Sequence, residues 1–145
     1  MNLFKKKINQ VDGIYLAQSF DKTTKNVINF YEQNPFPHYK PEDNKYTILS
    51  RGDSTYLKSL KNTVGFGKKI LEVGCGTGQF SNYFAIGTNN SIYALDPTIE
   101  SLKIAKSFSN RNKINNVTYI NASIFQDIFE EESFDLLFCS GVLHH

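Results

Sequence analysis

At 145 residues the chain falls in the range of one domain with a real core, and its net charge of +2, from 16 Lys/Arg against 14 Asp/Glu, is too small to imply a nucleic-acid or anionic-membrane partner. The only cysteines, Cys75 and Cys139, lie far apart and in no metal-ligand spacing, so there is neither a disulfide framework nor a zinc signature, and a reducing compartment follows. Residues 1–10 lack the apolar stretch of a signal peptide and no window approaches the length of a membrane span, which makes the expected location cytoplasmic.

The first half of the chain is the more basic: residues 1–69 hold 12 Lys/Arg against 6 Asp/Glu, and residues 70–145 hold 4 against 8. A basic half can face an anionic substrate, while a run such as Lys5, Lys6 and Lys7 reads equally as a solvated terminus. Asp21 is placed to cap a helix through Tyr31 and Glu32, which Asn34-Pro35-Phe36-Pro37 stops, since two prolines one residue apart impose an extended segment. The aromatic stretch 36–39 has two readings, a lid touching substrate or a pin holding an N-terminal arm, and His38 within it reads as structural. Asp53 is expected to cap a second helix running to Val64, with Leu57, Leu60 and Val64 on one apolar face that packs on a sheet. Gly65-Phe66-Gly67 then marks a boundary between a helical arm or lid, residues 1–66, and a second unit, residues 67–145.

Residues 69–80, Lys-Ile-Leu-Glu-Val-Gly-Cys-Gly-Thr-Gly-Gln-Phe, carry the strongest signal. An apolar strand runs into glycines at 74, 76 and 78, which puts no Cβ between a ligand and the turn or the amides that open the next helix. Glu72 sits inside that strand, and a second apolar run, 91–95, ends at Asp96, 22 positions after Gly74. In an open α/β sheet both carboxylates fall near the carboxyl ends of neighbouring strands, where ligands bind. The dinucleotide pattern G-x-G-x-x-G is the rival, but the third glycine comes one residue early and Gln79 stands where that pattern has glycine. Helices are expected at about 79–86 and 98–109 and strands at 117–121 and 134–139, giving an α/β, Rossmann-like parallel sheet with flanking helices and right-handed crossovers, incomplete at about four strands. The strand at 134–139 is apolar nearly throughout, as in strands covered on both faces.

The motifs Glu-Val-Gly-Cys-Gly-Thr-Gly, Tyr-Ala-Leu-Asp and Ser-Phe-Asp-Leu-Leu-Phe-Cys-Ser-Gly-Val-Leu-His-His, in that order over residues 68–145, resemble the class I S-adenosylmethionine-dependent methyltransferases, most closely the small-molecule group that includes the ubiquinone and menaquinone enzymes. The resemblance implies S-adenosyl-L-methionine as cofactor and methyl transfer to a small-molecule acceptor. It also implies a seven-stranded sheet with the first strand between the second and the fourth, so the sequence reads as truncated after its fourth strand. Alone it is expected to be inactive and poorly soluble, its last strand an exposed edge. An S-adenosylmethionine-binding fragment without catalysis is the alternative from another class, and a nicotinamide-binding oxidoreductase domain is a third.

By the same resemblance the cofactor site comprises Glu72, Gly74, Cys75, Gly76, Gly78, Asp96, Pro97, Ser123, Ile124 and Cys139. The glycines let the backbone approach the amino-acid and ribose region. Glu72 anchors the positive amino group, or else only holds backbone amides. Asp96 accepts both ribose hydroxyls, or else only turns the chain at Asp96-Pro97-Thr98. Pro97 and Ile124 flank the adenine, and Ser123 stands where relatives carry Asp to receive the adenine amino group. Cys139, Ser140 and Gly141 pass beneath the donor methyl, and Cys75 and Cys139 are expected close together as reduced thiols. His144 and His145 are adjacent and lack a third ligand, so they make no metal site, and no catalytic base is assigned.

Overall fold

A computed structural model describes residues 3–17, 19–140 and 142. The chain opens with a hairpin, β1 (Asn9–Val11) and β2 (Ile14–Leu16), turned by Asp12 and Gly13, both at positive φ. Two left-handed residues between two strands match the right-handed twist of the ladder they join. Three helices follow: α1 (Lys22–Gln33), α2 (Lys45–Asp53) and α3 (Leu57–Val64). The remainder alternates as β3 (Lys69–Val73), α4 (Gln79–Ala85), β4 (Ser91–Asp96), α5 (Ile99–Arg111), β5 (Val117–Asn121) and β6 (Leu136–Cys139).

One six-stranded sheet results, in the order β1-β2-β5-β4-β3-β6, parallel except for the β1–β2 pair. β3 lies between β4 and β6, as the family pattern requires, with Val73 opposite Leu95 on one side and Cys139 on the other. Two strands were not legible as such. The arm expected to be helical begins with the hairpin, and β2 continues the sheet beyond β5 by parallel pairing of Ile14 with Tyr119. The arm therefore covers the β5 edge, while β6 pairs only with β3 among the described residues.

Strand alternation sorts the core into two faces. Ile70, Ile92, Phe84, Phe108 and Ile48 form one cluster beneath the helices, joined by half-buried Leu57, Leu60 and Val64, so α3 packs its apolar side as its spacing predicts. Leu71, Val73, Leu95 and Ile120 face the other way, against Phe4, Ile128, Phe129 and Phe134. The Phe4 ring contacts Tyr15 at 5.0 Å and Phe129 at 5.7 Å, which ties the N-terminal segment to that face. Leu137 on β6 remains 60% exposed. No described helix is long and apolar enough to cross a membrane.

Helix ends follow local chemistry. Asp21 caps α1 by accepting the Thr24 amide at 2.9 Å, and Asn34 ends it. Asp53 does not cap a helix: it is the last residue of α2, whose start is a capping box of Asn44 and Thr47, and its carboxylate accepts the Tyr83 hydroxyl at 2.8 Å. Tyr56 precedes α3 without a side-chain cap.

Candidate active site

The glycine loop joins β3 to α4 at the carboxyl end of the sheet, with Gly74 at φ 71° and Gly76 at φ 53°, left-handed conformations that cost other residues about 1–2 kcal/mol. A Cβ on Gly76 would stand 2.1 Å from the Phe36 carbonyl oxygen, and one on Gly74 2.0 Å from Val142 Cγ2. Gly78, the N-cap of α4, lies where a Cβ would meet Ala105 at 2.8 Å. The glycines therefore permit close protein packing as well as a ligand surface free of side chains. The amides of residues 74–78 are engaged within the protein. Gly74 and Cys75 donate to the Leu95 carbonyl at 2.8 and 3.1 Å, Thr77 to Phe36 at 3.2 Å, Gly78 to Cys75 at 2.9 Å, and Gly76 to Asp96 Oδ2 at 2.8 Å.

Glu72 and Asp96 are the two acids of this cleft, both on the helix-covered face and both buried, at 6% and 8% exposure. Glu72 accepts the Ser81 hydroxyl, and burial pushes its carboxyl up to about 8 against the opposing effect of the Ser81 hydrogen bonds. Asp96 accepts the Gly76 amide on one oxygen and the Thr98 amide, also at 2.8 Å, on the other. Burial raises its pKa, and those two amides together with the Thr98 side chain pull it back. An ionised carboxylate offers about four acceptor positions, so Asp96 locks the loop with acceptor capacity left for a ligand. Cys75 is buried and its thiol is pushed well up by burial, the opposite of an activated nucleophile.

Two cavities meet at this point. The first, about 450 Å³, is lined by Tyr31, Phe36, Glu72, Gly76, Phe80 and Asp96 among others, with Ser140 at its β6 side. The second, about 340 Å³, is nearly all apolar, with Leu95, Pro97, Ile124 and Phe125 as walls and Ser123 and Thr24 as its polar groups. Val27, Gly74, Pro97 and Val142 line both, so the two form one cleft across the loop. A site of this size, mostly apolar with few polar groups, is the common form of a small-molecule pocket.

The N-terminal arm closes one side of that cleft. Besides the Phe36 contact, the Pro37 carbonyl accepts the Thr77 hydroxyl, the His38 carbonyl accepts Gln79 Nε2 at 2.9 Å, and the Tyr39 hydroxyl donates to the Thr77 carbonyl at 3.0 Å. Tyr39 stacks on Phe108 at 4.2 Å. Tyr39 thus pins the arm, and Phe36, 65% exposed, lines the cleft. His38 contributes its backbone carbonyl.

Of the residues singled out from the sequence, Glu72, Gly74, Cys75, Gly76, Asp96 and Pro97 line the larger cavity and Ser123 and Ile124 the smaller. Cys139 packs with the cluster of Leu71 and Val73 on the opposite face, and its neighbour Ser140 is the strand-end residue at the cleft. Gly141, His144 and His145 lie outside the described residues. Thr24, Val27 and Tyr31 also line the cleft: they recur on one side of α1, a spacing visible in the sequence, but nothing local says that this side meets the cleft.

Residues 70–145 match the family model described as a methyltransferase domain. An uncharacterized protein of Synechococcus is 27% identical over 137 residues, 90% of this chain and 33% of its own length. A ubiquinone biosynthesis O-methyltransferase of Glaesserella parasuis is 31% identical over 86 residues, 55% of this chain and 35% of that enzyme. The chain thus spans about a third of the length of these curated relatives. Among solved structures, geranyl diphosphate C-methyltransferase from Streptomyces coelicolor A3(2), crystallised with Mg2+, geranyl diphosphate and S-adenosyl-L-homocysteine, superposes with a TM-score of 0.64 at 10% identity, over 83% of this chain and 54% of that one. An S-adenosylmethionine-dependent methyltransferase from Aquifex aeolicus gives a TM-score of 0.51 at 22% identity, over 68% and 57%. At these identities the structural likeness is one of fold.

Proposed function

The chain belongs to the methyltransferase-domain family, within the class I S-adenosylmethionine-dependent methyltransferases, and we propose that its cleft holds S-adenosylmethionine so that a small-molecule acceptor can take the donor methyl. The observation that carries this is the pair of buried carboxylates, Glu72 and Asp96, opening into one cleft across a loop with glycine at every second position. The chemistry of the pair fits the ligand. Glu72 faces the region for a cationic amino group, and an ammonium there favours the ionised carboxylate. The spare acceptor positions of Asp96 suit the two ribose hydroxyls. The apolar cavity behind Pro97 and Ile124 suits a purine ring, and Ser123 its amino group.

When bound, S-adenosylmethionine supplies an electrophilic methyl on a sulfonium. The protein's part in such a transfer is orientation and exclusion of water. Tyr31, Phe36 and Phe80 give the open side of the larger cavity an aromatic lining, suited to an apolar or aromatic acceptor. Cys75 is buried with a raised pKa, and Cys139, half-buried on the other face, has its thiol pushed up as well, so neither serves as a nucleophile.

Calorimetric titration with S-adenosylhomocysteine tests the binding. A ligand at a hundred times its Kd stabilises the folded state by about 2.7 kcal/mol, so a matching rise in melting temperature is expected. NAD serves as the control for the dinucleotide reading. No heat and no thermal shift with S-adenosylhomocysteine, or a shift with NAD alone, would overturn the proposal.

A further inference from the structure

We propose that Asp21 and Thr24, on the N-terminal arm, are positioning residues that fix Ser123 as a hydrogen-bond acceptor and thereby select a purine bearing a 6-amino group over one bearing a 6-oxo group. This rests on the assignment of the cleft to S-adenosylmethionine.

The inference follows from the direction of the hydrogen bonds at Thr24 and Ser123. The Thr24 hydroxyl lies 2.6 Å from Asp21 Oδ2, and the Thr24 amide 2.9 Å from Asp21 Oδ1. An ionised carboxylate only accepts, so the Thr24 proton points to Asp21. The hydrogen bond from Thr24 also holds the Asp21 carboxyl below the usual carboxylate range, which keeps it ionised at neutral pH. Ser123 Oγ sits 3.1 Å from Thr24 Oγ1, a contact that distance alone leaves undirected. With the Thr24 proton committed to Asp21, Ser123 must be the donor. The Phe125 amide, at 3.3 Å, occupies one lone pair of Ser123 Oγ. One acceptor position remains, on a side chain only 4% exposed that lines the apolar cavity.

A serine hydroxyl normally rotates to suit its partner, and a free one would serve an amino or an oxo group alike. Here its sense is set from outside the site. A 6-amino purine donates to the remaining lone pair, whereas a 6-oxo purine would set an acceptor against an acceptor inside an apolar pocket, where an unmade hydrogen bond is costly. The connection runs through α1, so the arm that closes the cleft also polarises the group that reads the base. It gives Ser123 the fixed acceptor character that an aspartate at that position would possess by itself.

The test compares S-adenosylhomocysteine with its 6-oxo analogue, S-inosylhomocysteine, by calorimetry on the wild-type chain and on Thr24→Val, Thr24→Ser and Asp21→Ala. The wild type should prefer the amino compound roughly tenfold to a hundredfold, the span of one buried hydrogen bond. Thr24→Val removes the acceptor that holds the Ser123 proton, and the preference should fall to within about threefold. Thr24→Ser should retain it. In Asp21→Ala the Thr24 hydroxyl is free to donate to Ser123, so the preference should fall there too, which covers the case in which Thr24→Val does not fold. A general loss of structure weakens both ligands and leaves their ratio unchanged. A wild-type ratio in both Thr24→Val and Asp21→Ala overturns the inference while leaving the cofactor assignment intact. A wild-type chain that binds neither compound overturns both.

Discussion

Replacing Asp96 by alanine separates the two tasks the structure gives this carboxylate. Its oxygens hold the Gly76 and Thr98 amides at 2.8 Å each, and removing it leaves two nearly buried donors without partners. At about 1–2 kcal/mol apiece, the fold should lose about 2–4 kcal/mol, visible as a lower melting temperature. Cofactor affinity should fall as well, since one hydrogen bond to a charged partner is worth about 1.5–3 kcal/mol, or one to two decades in Kd. Weaker binding alone would not show that the ribose sits on Asp96, because a loosened loop would have the same effect. A cycle with 2′-deoxy and 3′-deoxy analogues of S-adenosylhomocysteine isolates the contact. In the wild type, loss of either hydroxyl should weaken binding about tenfold. In Asp96→Ala the same deletions should cost little, because the acceptor is already absent. If the deoxy analogues keep their full penalty in Asp96→Ala, the ribose lies elsewhere and Asp96 serves only the loop.

Gly76→Ala should displace the arm: the new Cβ would stand 2.1 Å from the Phe36 carbonyl at a left-handed φ, so a loss of about 1–2 kcal/mol from the backbone alone and faster chymotryptic cleavage after Tyr39 are expected, and unchanged proteolysis would contradict the clamp. Glu72→Gln should gain stability relative to wild type as pH rises. The folded carboxyl titrates near 8 and the unfolded one near 4.5, so between those values the folded state binds the extra proton and wild-type stability falls with increasing pH, whereas glutamine does not titrate. Thermal melts at pH 5 and pH 9 check this, with a pH-independent difference as the contrary result. Leu137→Lys places a charge on the β6 edge at a position already 60% exposed. It should reduce concentration-dependent association in sedimentation velocity without lowering the melting temperature by more than a degree or two, and equal association in both proteins would show that this edge is not the adhesive one.

What the sequence disclosed followed the strength of its local signals. The β3 strand, its glycines and Asp96 were legible because periodicity and punctuation coincide there, and Asp21 was legible because a cap precedes a helix that a proline pair ends. Asp53 misled because an acid between two helical stretches can close the first as readily as open the second. The better signal was Asn44 with Thr47 three residues on, a capping box in the sequence. The β1–β2 hairpin is only three residues per strand, too short for alternation to register, yet Asp12-Gly13 between Val11 and Ile14 is a hairpin turn signal.

The cleft was legible only in part, for a physical reason. Glu72, Asp96 and the glycines belong to a βαβ unit whose local order places them together. The partners that complete the cleft come from far along the chain: Phe36 meets Gly76 across 40 residues and Thr24 meets Ser123 across 99. Such contacts depend on where the arm lies, and β2 fixes that by pairing with β5, immediately before Ser123 in the chain. With Leu16 opposite Asn121, the Ala17 amide donates to the Asn121 carbonyl at 3.0 Å, and four residues on the chain reaches Asp21, the cap of α1. The short hairpin that local periodicity misses is thus the element that delivers α1 to the cleft. Weakening β2 should therefore act on base recognition at a distance: Ile14, 2% exposed opposite Tyr119, replaced by Ala should cost about 2–4 kcal/mol of stability and loosen the Thr24–Ser123 contact with it. The measurement is hydrogen exchange of the Thr24 and Ser123 amides, which should quicken together in Ile14→Ala while Gly74, held by Leu95, stays protected. Acceleration confined to the hairpin would mean that α1 holds its place without it.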